Sequence, residues 1–182
     1  MGSAKPLLRL RGETLLARAV RAARGGGADA IFVVAGSPDE SAREGVVREA
    51  RATGADAIVN PAWREGVSTS IRAGLGAVRG DPKMDGAIFL AADQPFVQAE
   101  DLLRLVSAWD RGALAAADYG NGVIGIPAIF SRVHFAALDR LTGDAGARRI
   151  LESEKSAVRR VPMPSAAIDV ELPEEARRRG IV

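Results

Sequence analysis

At 182 residues the chain has the length of one domain, able to bury about 70 % of its unfolded surface in a core that needs no covalent staples. It has no cysteine and a single histidine, which excludes disulfides, thiolate zinc sites, cysteine nucleophiles and histidine-rich metal centres; any metal must take oxygen ligands, as a hard cation such as Mg²⁺ does. The formal charge is only +2 and aromatics make up 4 %, so neither a nucleic-acid face nor a stacking platform for single strands is expected.

The pattern alternates between apolar runs and amphipathic stretches. Residues 14–24 place Leu15, Leu16, Ala19, Val20 and Ala23 on one helical face, and Gly25-Gly26-Gly27 ends the helix. A strand is expected at 30–35 ("AIFVVA"). A helix to about Ala52 follows, with Ser37 as N-cap and Pro38 at its first position. "DAIVN" (56–60) is a second strand, and Ser68 would cap a helix with Ile71, Leu75 and Val78 on its apolar face. The strongest strand is "GAIFLAA" (86–92), followed by a helix over 99–109. "ALAAAD" and "GVIGIPAIF" supply strands, residues 131–141 and 145–151 supply helices, and "AVRRVPM" reads as an edge strand because of Pro162. Strands separated by helices imply an α/β domain with a mostly parallel sheet, whose ligands gather at the carboxyl ends of the strands. Gly36, Asn60 and Asp93 would line that rim. No apolar run is long enough to span a membrane and no signal peptide precedes the first helix, so a cytoplasmic location is expected.

Several polar residues could carry chemistry. Asp93, ahead of Gln94-Pro95, can hold a hard cation or simply cap a turn. Lys5 follows a Gly-Ser turn that could face phosphate oxygens, although the spacing is not that of a Walker loop. "NPAWREGVSTSIRAGL" combines Asn60, a glycine at Gly66 and the hydroxyls Ser68, Thr69 and Ser70 at a helix start. Arg72 reads as a surface arginine of that helix and Trp63 as a half-buried loop anchor. "TGDAGARR" places Asp144 and two arginines at another helix start. His134 reads as structural, and Asp169 alone would be part of a linker.

Taken in order and spacing, "MGSAKPLLRLRGETLLARAV", "NPAWREGVSTSIRAGL", "FLAADQPFV" and "GIPAIFSRVHFAALDRLTGDAGAR" resemble the MobA-like nucleotidyltransferases that attach a nucleotide to molybdopterin, and most closely the molybdenum cofactor cytidylyltransferases. The resemblance covers nearly the whole chain. It implies a single Rossmann-like three-layer α/β/α domain over 1–182 with a mostly parallel, mixed sheet. It also implies Mg²⁺-dependent transfer of CMP from CTP, in some branches GMP from GTP, to the phosphate of the pterin cofactor with release of pyrophosphate. By the same resemblance Gly2 and Lys5 would hold the triphosphate, Lys5 and Asp93 would be catalytic, and Asn60, Gly66, Ser68 and Ser70 would lie beside base and ribose. Asp93 and Asp169 would bind Mg²⁺, and Asp144 and Arg148 would face the pterin. Its partners would be these small molecules and a molybdoenzyme recipient, with no nucleic acid or membrane.

Two departures shape the expectation. The family pattern places an apolar strand and a loop of the form L-A-A-G-x-S-x-R before the methionine at which this sequence begins, so about ten to fifteen further residues are expected upstream. Without them the domain should be of low stability or be rescued by a partner. Where the family carries D-[IV]-D-T-P-E, this chain has Asp169-Val170-Glu171-Leu172-Pro173-Glu174, which removes a helix-capping threonine. Two alternatives stand beside the enzyme: a non-catalytic pterin carrier or molybdoenzyme-maturation protein, and a nucleotidyltransferase acting on a sugar phosphate or other phosphorylated metabolite.

Overall fold

A computed structural model describes residues 5–169. A 3-10 turn at Lys5–Leu7 leads into a tight hairpin of β1 (Arg9–Leu10) and β2 (Glu13–Thr14). Its two turn residues, Arg11 and Gly12, both have positive φ, the geometry that matches the twist of a two-residue hairpin. The remaining elements are α1 (Leu15–Gly25), β3 (Phe32–Ala35), α2 (Glu40–Ala52), β4 (Asp56–Val59), α3 (Val67–Gly80), β5 (Gly86–Phe89) and α4 (Ala99–Ala108). They are followed by β6 (Leu114–Gly120), β7 (Val123–Ser131), α5 (Phe135–Asp139), α6 (Arg148–Ser153) and β8 (Val158–Pro162).

The fold is α/β with mixed pairing. β3 and β4 pair in parallel, while a four-stranded sheet has the order β5-β7-β6-β8. In it β7 runs antiparallel to both neighbours and β6 runs parallel to β8. Alternation along β6 explains the layering: Leu114 and Ala116 face one core, Ala115 and Ala117 the other, and all four are buried. The first core adds Phe130 from β7, Ile71 and Leu75 from α3, Phe135 and Leu138 from α5, and Ile150 and Leu151 from α6. The second adds Ile129, Met163 and the fully buried Leu102 and Leu105 of α4. Helices therefore cover both faces of the sheet, giving three layers. A further core joins Leu16 and Val20 of α1 to Val46 and Ala50 of α2 over Ala35 of β3. Among the described residues β3 and β5 each have one unpaired edge, and α3 packs against both strands.

Several expected boundaries move, each for a local reason. Asp39, not Ser37, caps α2: its carboxylate accepts the Ala42 N–H, Ser37 Oγ accepts the Asp39 N–H, and Pro38 stays outside the helix. α3 starts at Val67 with Gly66 at the N-cap, so Ser68 lies inside the first turn rather than capping it. The expected helix at 131–141 divides into a 3-10 turn, Arg132–His134, and the short α5, because Ser131 remains in β7. α6 begins at Arg148, leaving 145–147 outside the helix. β5 ends at Phe89, so Asp93 sits four residues beyond the strand on a turn. β8 is an edge strand, in keeping with Pro162. Trp63 is half-buried against Gly36, where a Cβ would come within 2.5 Å of the Trp63 Cβ.

Thr14 caps α1, its Oγ1 accepting the Ala17 N–H at 3.0 Å and donating to Glu49 Oε1 at 2.6 Å. Thr14→Ala removes a cap and leaves the part-buried Glu49 contact unmade. The expected loss is about 1 kcal/mol of unfolding free energy, measured by urea denaturation. Among the described residues no helix is long and apolar enough to cross a membrane.

Candidate active site

Three charged residues from distant segments come within electrostatic reach of one another at one rim of the fold. Lys5 opens the first 3-10 turn, Asp93 lies on the turn after β5, and Asp169 follows the 3-10 turn Pro164–Ala167 that succeeds β8. Asp93 is half-buried and feels both of the others. Burial holds its carboxyl above the ordinary carboxylate value, the Lys5 ammonium pulls it down, and the Asp169 carboxylate pushes it up. Two neighbouring carboxylates, one of them partly desolvated, are a pair that a dication relieves. They are also a hard-oxygen donor set of the kind Mg²⁺ and Mn²⁺ take. No group of three or more His, Asp or Glu side chains converges among the described residues. A cation held by two protein carboxylates draws its remaining ligands from water and substrate phosphates, the usual arrangement for Mg²⁺. The residues thus fit such an ion.

A second group forms at the start of α3. Asn60 immediately follows β4 and is buried, with both amide hydrogens spent inside the protein, on Thr69 Oγ1 at 2.8 Å and Ser70 Oγ at 3.0 Å. Its Oδ1 accepts the Ala62 N–H. Asn60 is therefore a latch between β4 and α3. Gly66 caps the helix with φ of 102°, and a Cβ there would lie 2.2 Å from the carbonyl carbon of Gly143. Only glycine allows both the backbone conformation and this approach. The Ser68 N–H donates to the Gly143 carbonyl, so the start of α3 is stitched to the 142–146 turn. Ser68 is fully buried and its Oγ has no hydrogen-bond partner among the described residues. Arg72 is not a simple surface residue: its guanidinium donates to the Leu141 carbonyl and fastens the chain just ahead of the same turn.

The third group is exposed. Asp144 lies in the turn whose backbone meets Gly66, and Arg148, at the start of α6, pairs with Glu152 at 2.8 Å. Tyr119 lies within electrostatic reach of Arg148 and of the carboxylates. Its hydroxyl is pushed up chiefly by burial, is lowered by a hydrogen bond from Gln94 and by Arg148, and is raised by Asp169 and Asp93. One tyrosine side chain thus senses Asp93, Asp169 and Arg148 together. Gly2 lies outside the described residues.

Sequence reasoning missed Tyr119 and Gln94. Tyr119 is the chain's one tyrosine, in a sequence poor in aromatics, and that rarity was the available signal. Gln94 stood beside Asp93 but its partners are 25 to 72 residues away. His134 ends the 3-10 turn Arg132–His134 with little exposure, its Nε2 3.5 Å from Glu154 Oε2 and its Nδ1 without a partner among the described residues.

Residues 1–159 match the MobA-like NTP transferase domain. A solved structure of a homologue of Mycobacterium tuberculosis Rv0371c, from Mycobacterium sp. strain JC1, is 30 % identical, with a TM-score of 0.79 over 96 % of this chain and 85 % of that one. Rv0371c from M. tuberculosis H37Rv, solved as a complex with manganese, is 26 % identical, with a TM-score of 0.74 over 98 % and 92 % of the two chains. The 2-C-methyl-D-erythritol 4-phosphate cytidylyltransferase of Thermus thermophilus shares the fold, with a TM-score of 0.62 at 16 % identity over 98 % and 93 %. A comparison with curated proteins finds no match.

Proposed function

Because the chain belongs to the MobA-like NTP transferase family, we propose that it transfers CMP from CTP to the phosphate of the molybdopterin cofactor and releases pyrophosphate. The observation that supports this most is the meeting of Lys5, Asp93 and Asp169 at one rim. An oxygen of the acceptor phosphate attacks the α-phosphorus of CTP, a phosphorus–oxygen bond forms there, and the bond to pyrophosphate breaks. Such a reaction asks for positioning and charge neutralisation rather than a covalent nucleophile, which suits a chain without cysteine.

Lys5 and Gly2 would face the triphosphate, with the Lys5 ammonium offsetting its charge. Asp93 and Asp169 would hold Mg²⁺, which when bound polarises the phosphates and neutralises the leaving pyrophosphate. Gly66 and Ser70 would stand beside base and ribose, with the fully buried Ser68 packed behind them, and Asn60 would serve this wall by locking β4 to α3. Asp144 and Arg148 stand beside this wall on the proposed acceptor side. The proposed partners are these small molecules and a molybdoenzyme recipient, in the cytoplasm.

The test is a titration with CTP and with GTP, each with Mg²⁺, followed by an acceptor screen. Tight binding of CTP with turnover only on the pterin is the expected result. Turnover on a sugar phosphate without pterin would move the chain to another acceptor class. Pterin binding without any nucleotide binding would make it a carrier.

A further inference from the structure

One heavily committed polar side chain near the site has no role in the reaction scheme. Gln94 is buried, 8 % exposed, directly after Asp93. Its Nε2 donates to the Ala166 carbonyl at 2.7 Å, to the Ile126 carbonyl at 2.9 Å and, more weakly, toward the Tyr119 hydroxyl at 3.3 Å. The Tyr119 hydroxyl in turn donates to the Ile126 carbonyl. Gln94 Oε1 has no partner among the described residues, so the orientation of the amide is set wholly by the acceptors on its nitrogen side.

These contacts join two segments far apart in sequence. Ala166 is buried in the 3-10 turn Pro164–Ala167, three residues before Asp169. The same turn is held from its other side, where Ser165 Oγ donates to Asp101 Oδ2, the oxygen that also accepts the Gln98 N–H at the start of α4. One amide thus ties the turn that carries Asp93 to the segment that carries Asp169. The β6–β7 ribbon, through Tyr119 and Ile126, is the fixed point between them.

We infer that Gln94 is a positioning residue that sets the separation of Asp93 and Asp169, so that the two carboxylates form a cation site before substrate arrives. This rests on the proposed metal role of the two aspartates. Without the amide, the Ala166 and Ile126 carbonyls lose a buried donor and the 164–169 segment loses its tie to the Asp93 turn. The side chains that orient metal ligands change metal affinity by about ten- to a hundredfold when removed.

The experiment is a titration of the full chain with Mn²⁺ alone, following the free-ion signal by electron paramagnetic resonance, well below each variant's Tm. Gln94→Leu removes the donor. Gln94→Met keeps length and volume, guarding against a variant that fails to fold. Leu105→Ala, in the core beside Met163, is a control for lost stability alone. Both Gln94 variants should weaken Mn²⁺ binding at least about tenfold, while Leu105→Ala lowers Tm and leaves the affinity unchanged. Wild-type binding with unaltered affinity in both Gln94 variants overturns the inference alone. Equal loss in Leu105→Ala also overturns it, since stability would then explain the effect. Absence of Mn²⁺ binding by the unmodified chain overturns the inference and the metal reading together.

Discussion

Asp93→Asn is expected to lower nucleotidyl transfer by at least about a thousandfold, ~4 kcal/mol of transition-state stabilisation, while making the protein more resistant to unfolding at neutral pH. The two effects have separate causes: an amide is a weaker ligand for the cation than a carboxylate, and it carries no charge for burial to disfavour. Burial holds the Asp93 carboxyl above its unfolded value, so between those two values the folded state binds more protons than the unfolded chain. Stability therefore falls as pH rises through that window and stays reduced above it. Asparagine is neutral throughout. In acid, below the ordinary carboxylate range, the two proteins should melt alike, and the Tm advantage of Asp93→Asn should open as pH rises and then level off. A variant that loses activity and also melts lower at pH 7 would mean that Asp93 is structural.

Gly66→Ala should be the most damaging substitution in the wall of the site. The added Cβ meets the Gly143 carbonyl carbon at 2.2 Å and the Asp144 nitrogen at 2.7 Å, both backbone atoms that cannot swing aside as a side chain would. It also forces an L-residue to φ of 102°. Strain and overpacking together should cost about 3 kcal/mol or more. The 142–146 turn must move, which breaks the Ser68 N–H bond to Gly143 and displaces Asp144. Urea denaturation would read the stability loss, and CTP titration of the folded fraction would read a weaker complex. Unchanged stability would show that the turn is not packed against α3 as described.

How far the sequence disclosed this arrangement depends on how local each signal is. α1, α3 and α4 were legible because their apolar residues repeat at the helical period, and β8 was legible as an edge because proline cannot donate to a ladder. Strand direction was not. An apolar run such as "GVIGIPAIF" looks the same whether it runs with or against its neighbours, and β7 runs against both. Ser68 was read as a cap because serine ahead of an apolar face is a common cap. With Gly66 as the cap at positive φ, the helix starts two residues earlier and the Ser68 hydroxyl is buried in its first turn. Asp93 was singled out by its motif, and its expected place just past a strand shifts to a turn four residues on, since β5 stops at Phe89. Asn60 was singled out as a residue beside base and ribose, whereas the contact the structure shows is a latch to Thr69 and Ser70, nine and ten residues on. Gln94 and Tyr119 were not legible, because their meaning lies in contacts that only the folded sheet creates.

The central claim, that the rim carrying Lys5, Asp93 and Asp169 is a metal-assisted nucleotidyl-transfer site, is tested most directly by CTP labelled at its α-phosphate. The full chain is incubated with this CTP, Mg²⁺ and the pterin cofactor, and label on the pterin is counted against pyrophosphate released. The predicted result is one pyrophosphate for each labelled CMP on the pterin, lost on chelation of the metal and in Asp93→Asn. Transfer that survives both chelation and Asp93→Asn would contradict the account.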